Sequence, residues 1–409
     1  MRAGGDGPTT DNLVRPTLVR MAALPLRVIE VAPGLEGVVA ARDALSDRLA
    51  GDGPAFALVP RPGPRMPGHY VELIRRGIRP DLPVDNPDTA FIAATSGSTG
   101  EPRGVVVTRD NLSAAVEASW ERIPGLRDCA WVLALPVTSI GGFGAIVRAH
   151  LAGTSLHPLP SVGGAGPFIA GDVMALDVTQ PFAISLVPQQ LVDMLESAEA
   201  TAWLSRATAV LVGAAATPEP LATRARDAGV SLVTTYGMTE TTGGCVYDGV
   251  PLPGVRIDIS DTGRIEVIGR QVTAGYRDGD EHFSGHGADR RFRTSDHGAW
   301  EAGLLRITGR TDDVVTVHGV NVALGAIESI VRSMVGVRDC AVVAVPDARQ
   351  DHRIIAYVVS DDPAVVEMIR PGVVDQLGGA ARPDVVAVDA LPLLPNGKID
   401  RRALRAAGE

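Results

Sequence analysis

Lysine is all but missing from this sequence. Of its 38 basic residues one, Lys398, is a lysine, and every other is an arginine. A coding bias that writes arginine wherever either cation serves accounts for this. A lysine retained under that bias marks a place for a compact ammonium on a flexible stem, where a wide planar fork will not do. Cysteine is nearly as scarce: Cys129, Cys245 and Cys340 are odd in number and far apart, which excludes a disulfide framework and gives no zinc spacing. Aromatics make up 4% of the chain against 45% hydrophobic residues, so its cores are aliphatic. No apolar run reaches the ~18 residues of a membrane-spanning helix. The first residues, among them Gly4, Asp6 and Gly7, lack the basic-then-apolar order of a signal peptide. A soluble, cytoplasmic protein is expected. Excess positive charge is missing too: a net charge of −10 argues against nucleic acid as the main partner. It does not argue against a nucleotide, which needs only a few local donors.

What is present points to several cores. At 409 residues the chain is too long for one, so two or three domains are expected. Between residues 88 and 235 short apolar runs alternate with amphipathic stretches, the pattern of βα units around a buried sheet. Strands are predicted at 91–94, 130–135, 183–187, 209–213 and 230–234, and helices at 111–121, 144–151, 189–197 and 221–228. The pattern then changes: 255–259 and 264–268 flank the turn Asp261-Thr262-Gly263, a hairpin signal, and 304–308 reads as a further antiparallel strand. Beyond Gly309-Arg310 a smaller unit has predicted helices at 324–334 and 365–377 and strands at 340–345, 354–359 and 385–388. The expected fold class is α/β in the mixed α+β sense. Residues 1–310 form a large N-terminal domain of βα sheets with a β-hairpin-rich subdomain, and residues 311–409 a small α+β C-terminal domain.

Five short motifs carry chemistry. The first, Thr95-Ser96-Gly97-Ser98-Thr99-Gly100-Glu101-Pro102-Arg103-Gly104, follows a predicted strand. Hydroxyls and glycines there let backbone N–H and side-chain O–H groups wrap a polyphosphate. It is not a Walker A loop, because no Gly-Lys-Ser/Thr follows at the required spacing. Tyr236-Gly237-Met238-Thr239-Glu240, Phe292-Arg293-Thr294-Ser295-Asp296, Gly309-Arg310-Thr311-Asp312-Asp313 and Pro395-Asn396-Gly397-Lys398-Ile399-Asp400-Arg401 follow in that order. Together, across residues 88–405, they resemble the adenylate-forming superfamily of acyl-CoA synthetases, adenylation domains and luciferases. There the five serve as phosphate loop, nucleotide and magnesium motif, ribose segment, hinge and catalytic-lysine loop.

The resemblance implies an ATP site with Thr95, Ser96, Gly97, Ser98, Thr99 and Gly100 around the phosphates. Gly213, Ala214 and Ala215 would line the adenine edge, Tyr236 and Gly237 the adenine face, and Asp296 and Arg310 the ribose. Thr239 and Glu240 would be catalytic, with Glu240 on Mg²⁺, a hard cation that prefers oxygen ligands. Lys398 would bridge the substrate carboxylate and the α-phosphate, where one well-aimed cation is worth on the order of 10²–10³ in rate. The C-terminal domain would be a mobile lid turning about Asp312, and Gly319 would let the pantetheine arm of coenzyme A pass. Read without the resemblance, Tyr236 is a core tyrosine, Asp296 a turn aspartate and Arg310 a partner for a neighbouring carboxylate. In the same light Gly213 to Ala215 are a strand end and Gly319 a turn residue.

Three positions depart from the family pattern, and the last of them, close to the acyl pocket, bears on the acid. Arg103 stands where a lysine is expected after Pro102, Ser295 replaces a glycine, and Ser139 stands where relatives carry a histidine or an aromatic. The phosphate loop also begins early, at residue 95, and Gly243-Gly244-Cys245 directly follows the Tyr236–Glu240 motif. This layout resembles the actinobacterial form of the o-succinylbenzoate–CoA ligases of menaquinone biosynthesis. Gly243 and Gly244 would then leave room for an aromatic keto acid, and Thr138 and Ser139 would bond its polar groups. The substrates implied are a small carboxylic acid, ATP and CoA, with Mg²⁺ as cofactor. No nucleic acid or membrane span is expected, and a homodimer is compatible with the sequence. Another aryl- or acyl-CoA ligase, an adenylation enzyme that loads a carrier protein, and a non-catalytic nucleotide binder are the competing readings.

Overall fold

The computed structural model describes residues 25–63, 66–95, 102–162, 168–279, 281–347, 351–393 and 399–409. Ser96 to Gly100 and Lys398 lie outside them, as does the side chain of Asp312. As expected, the fold is mixed α/β with several sheets.

The first sheet sets the strands Arg27–Val31, Phe56–Pro60 and Thr89–Ala94 side by side in parallel. Gly104–Thr108 then runs antiparallel to Thr89–Ala94, and Gly275–Tyr276 closes the far edge. Helices Leu35–Ala50 and Gly68–Ile78 make the crossovers. The sequence reading passed from the phosphate loop straight to a helix. In the structure a strand intervenes, so the loop joins two antiparallel strands, and only then does helix Arg109–Arg122 begin. Its cap explains the sharp start: Thr108 accepts from the Asn111 N–H while the Asn111 side chain accepts from the Thr108 N–H.

The second sheet has the order Val250–Pro251, Gly243–Tyr247, Leu232–Met238, Ala209–Val212, Phe182–Leu186, Ala130–Leu133, Leu156–Pro158. Its last five strands are parallel, and the two leading ones return antiparallel. Helix Ile140–Ala152 packs between the two sheets. Its Phe143 ring lies 4.3 Å from that of Phe91 and 5.9 Å from that of Phe56, which joins both layers in one aliphatic core.

The third sheet holds the expected hairpin, Arg256–Ile259 with Arg264–Ile268. It also holds an unexpected eleven-residue strand, Arg291–Glu301, paired with Leu304–Arg310. Aspartate and glycine disfavour strands, so Asp296 and Gly298 hid this element in the sequence. From Val314 onward the described strands pair only with one another. Val314–Val317 and Val320–Ala323 form a hairpin, and Asp339–Asp347, Asp351–Val359 and Asp384–Ala387 a second small sheet. The first hairpin turns through His318 and Gly319, at φ 49° and 76°. Positive φ at both positions is the two-residue turn that suits strand twist, so Gly319 has the conformational role of a turn glycine.

Burial keeps all three thiols protonated: desolvation pushes Cys245 up to about 12 and raises Cys129 and Cys340 as well. A thiol-specific disulfide reagent should therefore label none of them rapidly in the native protein and each of them after unfolding. A fast native phase would contradict this packing.

Candidate active site

The parallel strands of the second sheet end on one side, where open α/β sheets present their ligand crevices. Ala209–Val212 ends at Gly213, whose N–H donates to the Leu186 carbonyl. A Cβ on Gly213 would stand 2.3 Å from the Thr235 hydroxyl, so only glycine lets these strands meet. The next residue, Ala214, is held at φ 69°, and Ala214 and Ala215 are exposed. A non-glycine residue in this region is strained, and its backbone is turned outward at the strand end.

The neighbouring strand, Leu232–Met238, carries Tyr236 and Gly237. The motif is therefore strand up to Met238, past the predicted strand end at 234, followed by the short 3₁₀ turn Thr239–Thr241 that carries Glu240. Sterics and one hydroxyl set the turn. A Cβ on Gly237 would lie 2.0 Å from the Gly243 carbonyl oxygen. The Thr241 hydroxyl donates to that same carbonyl at 2.7 Å and accepts from the Met238 N–H at 3.0 Å. The chain returns through Thr242 at φ 55° and Gly243 at φ 99°.

Two carboxylates are buried here, and a tyrosine holds each. The Tyr236 hydroxyl donates to Asp296 Oδ2 at 2.8 Å, while Arg310 donates to Asp296 Oδ1 at 2.9 Å. The register of strands Arg291–Glu301 and Leu304–Arg310 places Asp296 directly opposite Arg310. Two motifs distant in sequence thus become cross-strand neighbours. Burial, and then the Asp296 charge, push the Tyr236 phenol well above the usual tyrosine range, so it stays a donor. Both readings of Arg310 meet in this geometry: it pairs with a carboxylate, and that carboxylate is the one assigned to the ribose. Glu240, 9% exposed, accepts from the Tyr276 hydroxyl at 2.5 Å.

The donor set fits magnesium. Mg²⁺ binds through one or two carboxylates and takes its remaining ligands from phosphates and water. A single hard carboxylate, Glu240, with the Thr239 hydroxyl beside it in sequence, is such a set. Among the described residues no cluster of three or more acids, histidines or cysteines forms a protein cage.

On the acyl side, the Ser139 hydroxyl has a task the sequence reading did not give it. It caps helix Ile140–Ala152, accepting from the Gly142 N–H at 3.1 Å and donating to the Pro136 carbonyl at 2.7 Å. Gly243 faces the start of that helix: a Cβ there would touch only Ile140, at 3.9 Å. Gly244 is tighter, since a Cβ would come within 2.8 Å of the Tyr247 ring. Thr138 is half-buried just before the helix.

The sequence reading missed Arg148. It lies 8% exposed in an otherwise apolar helix, and among its described partners there is no carboxylate. Its Nε donates to Ser119 Oγ at 3.3 Å and its Nη2 to the Tyr247 hydroxyl at 3.4 Å, with the guanidinium 5.2 Å from the Trp131 ring centre. With Ile140, Phe143, Gly144 and Thr242 it lines a small cavity beside Gly243, with room for about one water. A charge in the middle of an apolar helix was the available signal.

The described residues on either side of 394–398 are held to one another. Leu393 bridges Ile399, the Asp400 N–H donates to the Pro392 carbonyl, and Asp400 caps helix Arg401–Gly408. Arg401 meets Glu328 at 2.7 Å, and Glu328 also accepts from the Val342 N–H.

Comparison with known proteins gives the family. Residues 33–277 match the AMP-binding enzyme family and residues 326–398 the AMP-binding enzyme C-terminal domain. A Mycobacterium tuberculosis (strain H37Rv) protein named probable 2-succinylbenzoate–CoA ligase is 36% identical over 388 residues, covering 90% of this chain and 95% of its own. The structure of Bacillus subtilis o-succinylbenzoate coenzyme A synthetase in complex with ATP and magnesium ion superposes with a TM-score of 0.73 at 21% identity, covering 94% and 90%. Amide bond synthetase McbA from Marinactinospora thermotolerans does so with a TM-score of 0.73 at 22% identity, covering 95% and 91%. These last two speak for the fold. The chain belongs to the AMP-binding enzyme family. Within it, the protein is an AMP-forming ligase of the acyl-CoA synthetase type.

Because the Tyr236 hydroxyl bonds a buried charge, Tyr236→Phe should cost about 1.5–3 kcal/mol in denaturant unfolding. In an Asp296→Ala background it should cost much less. Equal costs in both backgrounds would show that the bond contributes nothing.

Proposed function

We propose that the protein is an ATP-dependent o-succinylbenzoate–CoA ligase that acts in the cytoplasm in menaquinone biosynthesis. MgATP occupies the strand-end crevice, with the phosphates at residues 95–100, the adenine at Tyr236 and Gly213 to Ala215, and the ribose at Asp296 and Arg310. Glu240, with the Thr239 hydroxyl beside it in sequence, would hold magnesium, which would supply positive charge to the phosphates. The succinyl carboxylate attacks the α-phosphorus in line, pyrophosphate leaves, and a mixed anhydride forms. Lys398 supplies the cation at the reacting oxygens. Residues 311–409 then turn about Asp312 to withdraw it, and the CoA thiol, with its arm running past Gly319, displaces AMP to give the thioester.

The acid assignment is carried by Arg148. After the succinyl group is activated, o-succinylbenzoate still bears a second, aromatic carboxylate. That anion needs a partner inside the acyl pocket, because an unpaired buried charge is costly. Arg148 is a buried cation whose described contacts are neutral, and the small cavity it lines with Thr242 must widen to admit the carboxylate. The 36%-identical relative named for the same acid supports the reading.

CoA-dependent AMP release identifies the acid. The wild-type enzyme should prefer o-succinylbenzoate to 4-oxo-4-phenylbutanoate, which lacks the ring carboxylate. Arg148→Met should lower kcat/KM for o-succinylbenzoate by about 10²-fold or more and leave 4-oxo-4-phenylbutanoate nearly unaffected. A wild-type enzyme indifferent to the ring carboxylate would remove the assignment. Lys398→Ala should abolish ATP–pyrophosphate exchange yet still convert pre-made acyl-adenylate and CoA to thioester; equal loss of both half-reactions would contradict the moving lid.

A further inference from the structure

Tyr276 belongs to none of the five motifs, yet its phenol lies 2.5 Å from Glu240 Oε1. We propose that Tyr276 is a positioning residue for the metal carboxylate, aiming Glu240 at the cation and coupling that aim to the end of the phosphate loop through Arg103. The proposal rests on the reading of Glu240 as the magnesium ligand.

The phenol is held from every side. Strand Gly275–Tyr276 pairs antiparallel with Gly104–Thr108, setting Tyr276 opposite Val105 and Gly275 opposite Val106. Three residues before Tyr276, the Thr273 N–H donates to the backbone carbonyl of Glu240 at 2.9 Å, so one short segment grips Glu240 by both backbone and side chain. The Arg103 guanidinium lies 3.6 Å from the centre of the Tyr276 ring, and the Phe283 ring meets it edge-on at 5.3 Å. The next two residues hold the frame. Arg277 donates to the carbonyls of Arg79 and Pro83, both at 2.8 Å, beyond the end of helix Gly68–Ile78, and its own N–H donates to the Gly104 carbonyl. Asp278 accepts from Arg103 at 2.8 Å, and the Arg103 N–H donates to the Thr95 hydroxyl at 3.1 Å. Arg103 therefore links Thr95, the first hydroxyl of the phosphate loop, to the ring that holds Glu240.

This arrangement suits the metal's demands. A glutamate has three side-chain torsions, and Mg²⁺ requires near-octahedral geometry at 2.0–2.1 Å. A donor on one carboxylate oxygen fixes the plane in which the other meets the cation. Hydrogen-bonded partners of metal-binding carboxylates are worth 10–100-fold in metal affinity. Tyr276→Phe removes the hydroxyl and keeps the ring for Arg103 and Phe283.

Mn²⁺ titration monitored by electron paramagnetic resonance, in the presence of α,β-methylene-ATP, tests the proposal on the full-length protein. Tyr276→Phe should raise the Mn²⁺ Kd by 10–100-fold, while losing no more stability than Tyr236→Phe does. In turnover assays the variant should need more Mg²⁺, with the KM for the acid unmoved. Glu240→Gln should lose Mn²⁺ to at least the same extent. If Glu240→Gln weakens Mn²⁺ binding and Tyr276→Phe binds as wild type does, Tyr276 has no positioning role. If Glu240→Gln itself binds Mn²⁺ normally, the metal reading of Glu240 fails and the proposal fails with it.

Discussion

Two carboxylates held below the surface by tyrosine hydroxyls are the constraint around which this site is organised. A buried carboxylate must find donors or lose its charge, and Asp296 and Glu240 find theirs in Tyr236 and Tyr276. Satisfying them requires three sheets to meet. Tyr236 comes from the second sheet, Asp296 and Arg310 from the third, and Tyr276 from the edge of the first. Within the second sheet, Gly213 and Gly237 let the strand that carries Tyr236 lie close against its neighbours. The site is thus a seam, and its geometry depends on the registers of the strands on either side of it.

The seam also separates two kinds of work. On the nucleotide side, fixed donors and acceptors already point at one another across strands. On the side assigned to the acid, the capped start of helix Ile140–Ala152 faces Gly243, whose Cβ position is open, and buried Arg148, while the Tyr247 ring crowds Gly244. Nucleotide chemistry is the same for every acid, so rigidity suits it. In the proposed function, the identity of the acid turns on the space near Arg148.

The parallel sheet was largely legible in the sequence. Alternating apolar and amphipathic runs marked the parallel strands, because such strands are buried on both faces. Tyr236, Glu240, Asp296 and Arg310 declared themselves through their motifs. What stayed hidden has physical causes. Strand Arg291–Glu301 contains an aspartate and a glycine, residues that disfavour strands and were retained at the seam. Strand Gly104–Thr108 was lost because a glycine-rich phosphate loop usually leads into a helix. Arg148 and Tyr276 acquire meaning only from partners far away in the chain, Tyr247 and Ser119 for one and Glu240 and Arg103 for the other. No local pattern encodes such pairs. The phosphate loop from Ser96 to Gly100 and Lys398 fall outside the described residues.

The pairing of Gly275–Tyr276 with Gly104–Thr108 also bears on biosynthesis. A ribosome releases residue 108 long before residue 275, so the first sheet emerges with one flank open and its N–H and C=O groups unmet. Helix Gly68–Ile78 likewise waits for Arg277 to reach the carbonyls at its far end. The nascent large lobe must therefore remain incomplete until nearly seven-tenths of the polypeptide has left the exit tunnel. That interval is when chaperones, or an unwanted neighbouring strand, would have access to it.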